Sequence, residues 1–99
     1  MTNEILTLIV AHFACADLAI ERPLTVSEAQ YCGAVYQQVK LAFVPGVTSE
    51  DFVELSAAER HAVSMSGYRA FYTWRTENPD RVSFLERVAR GETTLGRAG

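Results

Sequence analysis

The stretch SAAERHAVSMSGYRAFYTWRTENP, residues 56–79, decides how this chain folds. It opens on Ser56-Ala57-Ala58-Glu59, the pattern of a capping box, in which two side chains satisfy reciprocal orphan amides. It closes on Asn78-Pro79, because proline pushes the residue before it out of the helical region. Between these signals the apolar period is helical, which predicts a helix over about 57–77. At 100° per residue Tyr68, Phe71 and Tyr72 fall together with Met65 beside them, and Val63, Gly67, Ala70 and Trp74 adjoin them. Together they cover an arc of about 220°, far wider than the stripe of about 100° that a surface helix needs. Ser66, Arg69, Thr73, Thr76 and Glu77 make the polar remainder, and Arg75 and His61 interrupt the aromatic side.

The flanking sequence is helical as well. Upstream, Thr2 or Asn3 can cap a first helix over about 4–20, ended by Arg22-Pro23. Its apolar residues, among them Ile5, Leu6, Leu8, Ile9, Val10, Phe13, Leu18 and Ile20, go almost all the way round. A helix of that kind is buried on more than one side. A capping box at Ser27–Gln30 predicts a second helix over about 27–43, with Tyr31, Cys32, Val35, Tyr36, Val39 and Phe43 in one arc and Pro45-Gly46 as its stop. Thr48-Ser49-Glu50-Asp51 starts a short helical turn near 49–55. Asn78 is placed to cap a last helix over about 79–90, which Pro79 opens and Gly91 closes. The expected fold is therefore all-α: a compact bundle of four main helices plus the short turn. One domain over 1–91 is followed by a tail over 92–99 that shows no core pattern.

Composition narrows the function. A chain of 99 residues with 48% hydrophobic and 21% charged residues is an ordinary globular domain. It hides roughly 65% of its unfolded surface. The net charge of −3 argues against a general nucleic-acid coat. Charge is uneven, however. Arg22, Lys40 and Arg60 are the only bases before residue 66, whereas Arg69, Arg75, Arg81, Arg87, Arg90 and Arg97 lie beyond it. The two cysteines, Cys15 and Cys32, lie in apolar helical patterns and read as free, small hydrophobes in a reducing cytoplasm. The run ILTLIVAHFACADLAI (5–20) reads as too short for a membrane span and carries His12 and Asp17, so neither export nor a membrane partner is expected.

Chemistry-bearing patterns are sparse. His12, Cys15, Cys32 and His61 add up to a zinc-type ligand count, but their spacings match no zinc-binding pattern. Cys32 and His61 compose a nucleophile pair only on paper, since nothing local activates the thiol. Glu50, Asp51, Glu54 and Glu59 are spread over a turn and two helix starts, where carboxylates favour the positive end of the dipole. The glycines are scattered and form no phosphate loop. Neither an enzyme, nor a cofactor, nor a metal site is expected.

What remains is the aromatic helix. Most of its rings are expected in the core. Two helices nevertheless carry more apolar circumference than so few neighbours can cover, and Trp, Tyr and Arg dominate interface energies. The expected activity is protein–protein interaction: self-association as an assembly subunit, or docking on a partner as a modulator. The residues expected to carry it are Tyr68, Phe71, Tyr72, Trp74, Arg75 and Arg69, with Leu8 and Phe13 if the first helix is shared. The alternative is a small DNA-binding transcriptional regulator, with bases stacked on Tyr68, Phe71 or Trp74 and phosphates on Arg69, Arg75 and Arg81.

The stretch GYRAFYTWRTENPDRVSFLERVARGETTLG (67–96) resembles the C-terminal portion of small neck (head–tail connector) proteins of Mu-like tailed phages. Phe84-Leu85, Val88-Ala89, Gly91 and Leu95-Gly96 fill that family's closing pattern, while its Arg-Tyr dipeptide ahead of the final helix is missing. The resemblance implies a non-enzymatic assembly protein of phage or mobile-element origin, used as a ring subunit.

Overall fold

Five helices and no strand make up residues 1–96, the part of the chain that the computed structural model describes. They are α1 (Asn3–Glu21), α2 (Val26–Ala42), α3 (Ser49–Glu54), α4 (Ala57–Glu77) and α5 (Pro79–Ala89). The all-α bundle of four long helices and one short turn is thus the observed architecture.

Caps explain most of the boundaries. Thr2, Thr25, Thr48 and Ser56 each accept a hydrogen bond from an amide in the first turn of the adjoining helix. The box expected at Ser27–Gln30 is displaced. Thr25 is the N-cap of α2, and Glu28 closes the box by accepting from the Thr25 amide at 2.8 Å. Arg22 grips both Glu28 oxygens at 2.8 and 2.7 Å and ties the end of α1 to the start of α2. That grip, helped by the Thr25 amide, lowers the Glu28 pKa to about 2. A depressed carboxylate stabilises the fold above its unfolded pKa, and that contribution fades as pH falls from about 4.5 towards 2. Asn78 does not cap α5 with its side chain; its Nδ2 donates 2.8 Å to the Trp74 carbonyl and closes α4 instead. Gly91 ends α5 at φ +78°, donating to Val88 O while Glu92 donates to Arg87 O, a pair that marks a Schellman turn.

Packing reflects the apolar faces. Cys15 opposite Cys32 and His12 opposite Tyr36 show that α1 and α2 run antiparallel. α4 crosses α2 where Gly67 meets the Lys40 backbone, with Phe71 beside Phe43. The segment carrying α3 lies back against α2, with Ser49 Oγ donating to Gln38 Oε1 at 3.2 Å. α5 packs along α1 and touches α4 lightly, which closes the bundle. The core draws on all four long helices: Leu6, Ile9 and Phe13, then Val39, Phe71, Val82 and Leu85.

Three expectations need correcting. Cys15 and Cys32 are not free thiols but a disulfide, with Cα atoms 5.8 Å apart. Their apolar arcs face each other across the antiparallel pair, a pairing that spacing along one chain cannot show. Closing a loop of this length removes unfolded-state entropy worth about 3 kcal/mol, and the cysteines no longer point to a reducing compartment. Second, α1 is longer than its apolar run, and at 19 residues it is long and apolar enough to cross a membrane by length and composition alone. Its Leu6, Ile9 and Phe13 are nevertheless core residues. Third, the segment after Gly91 is not all loose: Leu95 packs on the core and Glu92 binds Arg90 at 2.6 Å. The rest of the expected tail, 97–99, lies outside the described residues.

The closest approach is between α2 and α4. Gly67 is buried, and a Cβ built there would stand 2.7 Å from the Lys40 carbonyl carbon, well inside contact distance. Gly33 of α2 is exposed with open space beside it. Gly67→Ala is expected to lower stability by about 2–3 kcal/mol through overpacking. Gly33→Ala should raise it by up to about 1 kcal/mol through helix propensity. Urea unfolding midpoints measure both, and equal effects would mean that the crossing sets no limit on residue size at 67.

Candidate functional site

The aromatic helix divides its rings between two environments. Gly67 and Phe71 are its buried residues, and the Phe71 ring is 1% exposed. Trp74, one turn further along the same side, is half-buried against Phe43 and Phe71 at 5.9 and 6.2 Å. The other side carries Met65, Tyr68 and Tyr72, all exposed, with Tyr72 at 52%. Tyr68 and Tyr72 tilt against each other at 5.1 Å, as neighbours at i and i+4 do.

Arg75 joins this stripe from the next turn. Its guanidinium lies over the rings of Phe13, Phe71 and Tyr72 at 5.1, 5.7 and 5.8 Å. Among the described residues no carboxylate pairs with it and no acceptor takes its N–H groups. A half-buried guanidinium with idle donors and an aromatic bed is held in place by its stem and the rings, and its donors remain free for something outside the chain.

Three residues complete the face from α1 and α2, and none of them belongs to the set expected from sequence. His12 stacks on Tyr36 at 4.6 Å and 6°, and meets the edge of Phe71 at 5.7 Å. Lys40 Nζ sits 4.6 Å from the Tyr36 ring centre. Burial, and then the positive charge of Arg75, pull the His12 pKa below its ordinary value. Burial first, and then the neighbouring Tyr68 and Tyr72, raise that of Tyr36, with Arg75 opposing. His12, Tyr36, Lys40, Tyr68, Tyr72 and Arg75 therefore make one aromatic face which, among the described residues, carries two cations and no acid. The signal that could have found the inner half was His12 itself, a polar break in an otherwise apolar helix.

The expected partner-binding set separates accordingly. Tyr68, Tyr72 and Arg75 stand on the face. Phe71 and Phe13 do not: both are buried in the core, so neither ring is available to a partner. Trp74 and Leu8 are half-buried and packed against that core. Arg69 is exposed but turned about 120° around α4 from Arg75. Arg81 lies on α5, beside Phe84 and Arg87. The three arginines assigned to phosphates are thus dispersed.

Elsewhere, of the acids Glu50, Asp51, Glu54 and Glu59, Asp51 and Glu59 serve as caps, each accepting from the backbone amide of its own N-cap residue. Among the described residues no group of three or more His, Cys, Asp or Glu side chains is disposed to hold a metal, and the two cysteines that such a set would need are bonded to each other. Comparison with protein-family models, with curated proteins and with solved structures finds no match to this chain.

Two measurements separate core from face. Phe71→Ala should cost about 3–5 kcal/mol of stability, whereas Tyr72→Ala should cost only about 1 kcal/mol, the worth of an aromatic pair. His12 should titrate below about 6.5, and Arg75→Gln should raise its midpoint part of the way back. Because the unfolded imidazole takes up its proton first, stability should fall as pH drops from about 6.5 through the folded midpoint. Proton NMR of the His12 ring reads the midpoint, and one unaffected by Arg75→Gln would refute the assigned proximity.

Proposed function

We propose that this chain works without catalysis, by docking on another protein through the face built from Tyr68, Tyr72 and Arg75. The observation that carries this reading is Arg75: a half-buried guanidinium seated on three rings, with its hydrogen-bonding groups unused among the described residues. Such a group gains most from a carboxylate brought by a partner, since a bidentate pair formed away from water is strong and directional. The flanking tyrosines are rigid amphipathic anchors, and Tyr and Arg are the side chains most often found at interface hot spots.

The resemblance of residues 67–96 to phage neck proteins suggests an assembly subunit, self-associated or joined to other proteins of a phage or mobile element. A modulator that covers a partner's surface would use the same anchors. A nucleic-acid ligand finds less support, because Arg69 and Arg81 do not join Arg75 on the face.

A photocrosslinking residue placed at exposed Arg69, beside the face, tests the proposal in the native host and in purified solution. A protein adduct, or a dimer of the chain, is expected to form and to survive 0.5 M salt. It should be lost in Tyr72→Ala and in Arg75→Ala while the helical circular dichroism persists. Each substitution should weaken binding by roughly 30-fold, the scale of a hot spot of about 2 kcal/mol. Adducts to nucleic acid alone, or adducts indifferent to both substitutions, would defeat the reading.

A further inference from the structure

We propose that the Cys15–Cys32 bridge is a reversible redox site, opened in the folded protein by a dithiol reductant, and that its state sets the packing of the His12–Tyr36 stack. The proposal stands apart from the docking reading and needs no partner to test.

Access comes first. Both cysteines are half-buried, and both line a groove of 370 Å³ between α1 and α2, walled by Ala11, Ala14, Leu18 and Tyr31. On the α1 wall, Ala11 and Ala14 put small side chains beside Cys15. Tyr31, expected in the apolar arc of α2, is instead 60% exposed at the groove's rim.

Separation from the core comes second. Neither cysteine belongs to the buried cluster, whose nearest α1 member is Phe13. The α1–α2 pair is also tied by the Arg22–Glu28 ion pair at its turn. Opening the bridge therefore leaves the packed core and the helix connection in place.

The exchange is balanced in atoms and electrons. A thiolate of the reductant attacks one cysteine sulfur and forms a mixed disulfide, and the other cysteine leaves as a thiolate that takes a proton. The reductant's second thiolate then attacks its own sulfur in the mixed disulfide and releases the second protein thiol. Two electrons and two protons pass to the protein, and the reductant ends as a disulfide.

Coupling to the face is a matter of register. His12 precedes Cys15 by three residues and Tyr36 comes four after Cys32, so on an antiparallel pair the bridge and the stack are consecutive rungs. Opening the bridge removes the covalent tie on its rung, and the stack held at 4.6 Å on the next rung repacks with it. Tyr36 carries that change towards Tyr68, Tyr72 and Arg75, its neighbours on α4.

Treating the oxidised full-length chain with dithiothreitol under native conditions, then with N-ethylmaleimide, tests the proposal. Mass spectrometry should count two alkylated cysteines while the far-ultraviolet circular dichroism stays helical. The ring protons of His12 and Tyr36 should shift in NMR spectra, and Cys15→Ala/Cys32→Ala should show the same shifted positions without reductant. Three results would each overturn the proposal: reduction no faster than global unfolding, loss of the helical signal on reduction, or ring signals unchanged between the two states.

Discussion

A hydrogen atom where other residues carry a side chain lets α4 cross directly against the Lys40 carbonyl of α2. Gly67 sets the depth of that crossing, and the depth assigns every ring around it. Phe71, one turn on, reaches the layer of Ile9, Phe13 and Leu85 and is enclosed. Trp74 closes over it from the same side, against Phe43. Tyr68 lies only one residue beyond the glycine, about 100° round the helix, and so is carried out of the core with Tyr72. A bulkier residue at 67 would lift α4 off α2 and blur the division between ring as core and ring as surface.

The other half of the bundle is governed by the α1–α2 pair. Its rungs, in order from the turn, are the Arg22–Glu28 grip, the disulfide and the His12–Tyr36 stack. Each uses different physics: a charge-assisted pair in solvent, a covalent bond and an aromatic contact. Their common effect is to fix the pair's register, so that Leu6, Ile9 and Phe13 meet Val39 and α5 in one layer. In a chain too short to bury most of its apolar surface, such ties supply order that area alone would not.

Among the described residues, three of the arginines beyond residue 66 take separate seats. Arg90 is paired with Glu92, Arg87 lies over Phe84 and Arg75 lies over three rings. Guanidinium groups tolerate such seats because they are planar and weakly hydrated. Of these, Arg75 combines partial burial with unused donors, and for that reason it gives the aromatic face its chemical character.

By itself the sequence determined the helices. Hydrophobic period, threonine and serine caps, Pro23, Pro79 and Gly91 act within a few residues of one another, and each boundary they predict falls about where the structure has it. The sequence also marked the aromatic helix as over-wide, but it could not sort Phe71 from Tyr72, neighbours that differ by 100° and by the side of a crossing set at Lys40. It likewise left Cys15 and Cys32 as two small hydrophobes, and His12 apart from Tyr36. Those pairings join positions many residues apart, and they exist only because two helices settled at one depth and register. Only the tertiary structure decided them, since the free energy that chooses among registers belongs to the packed core and not to any local stretch of chain.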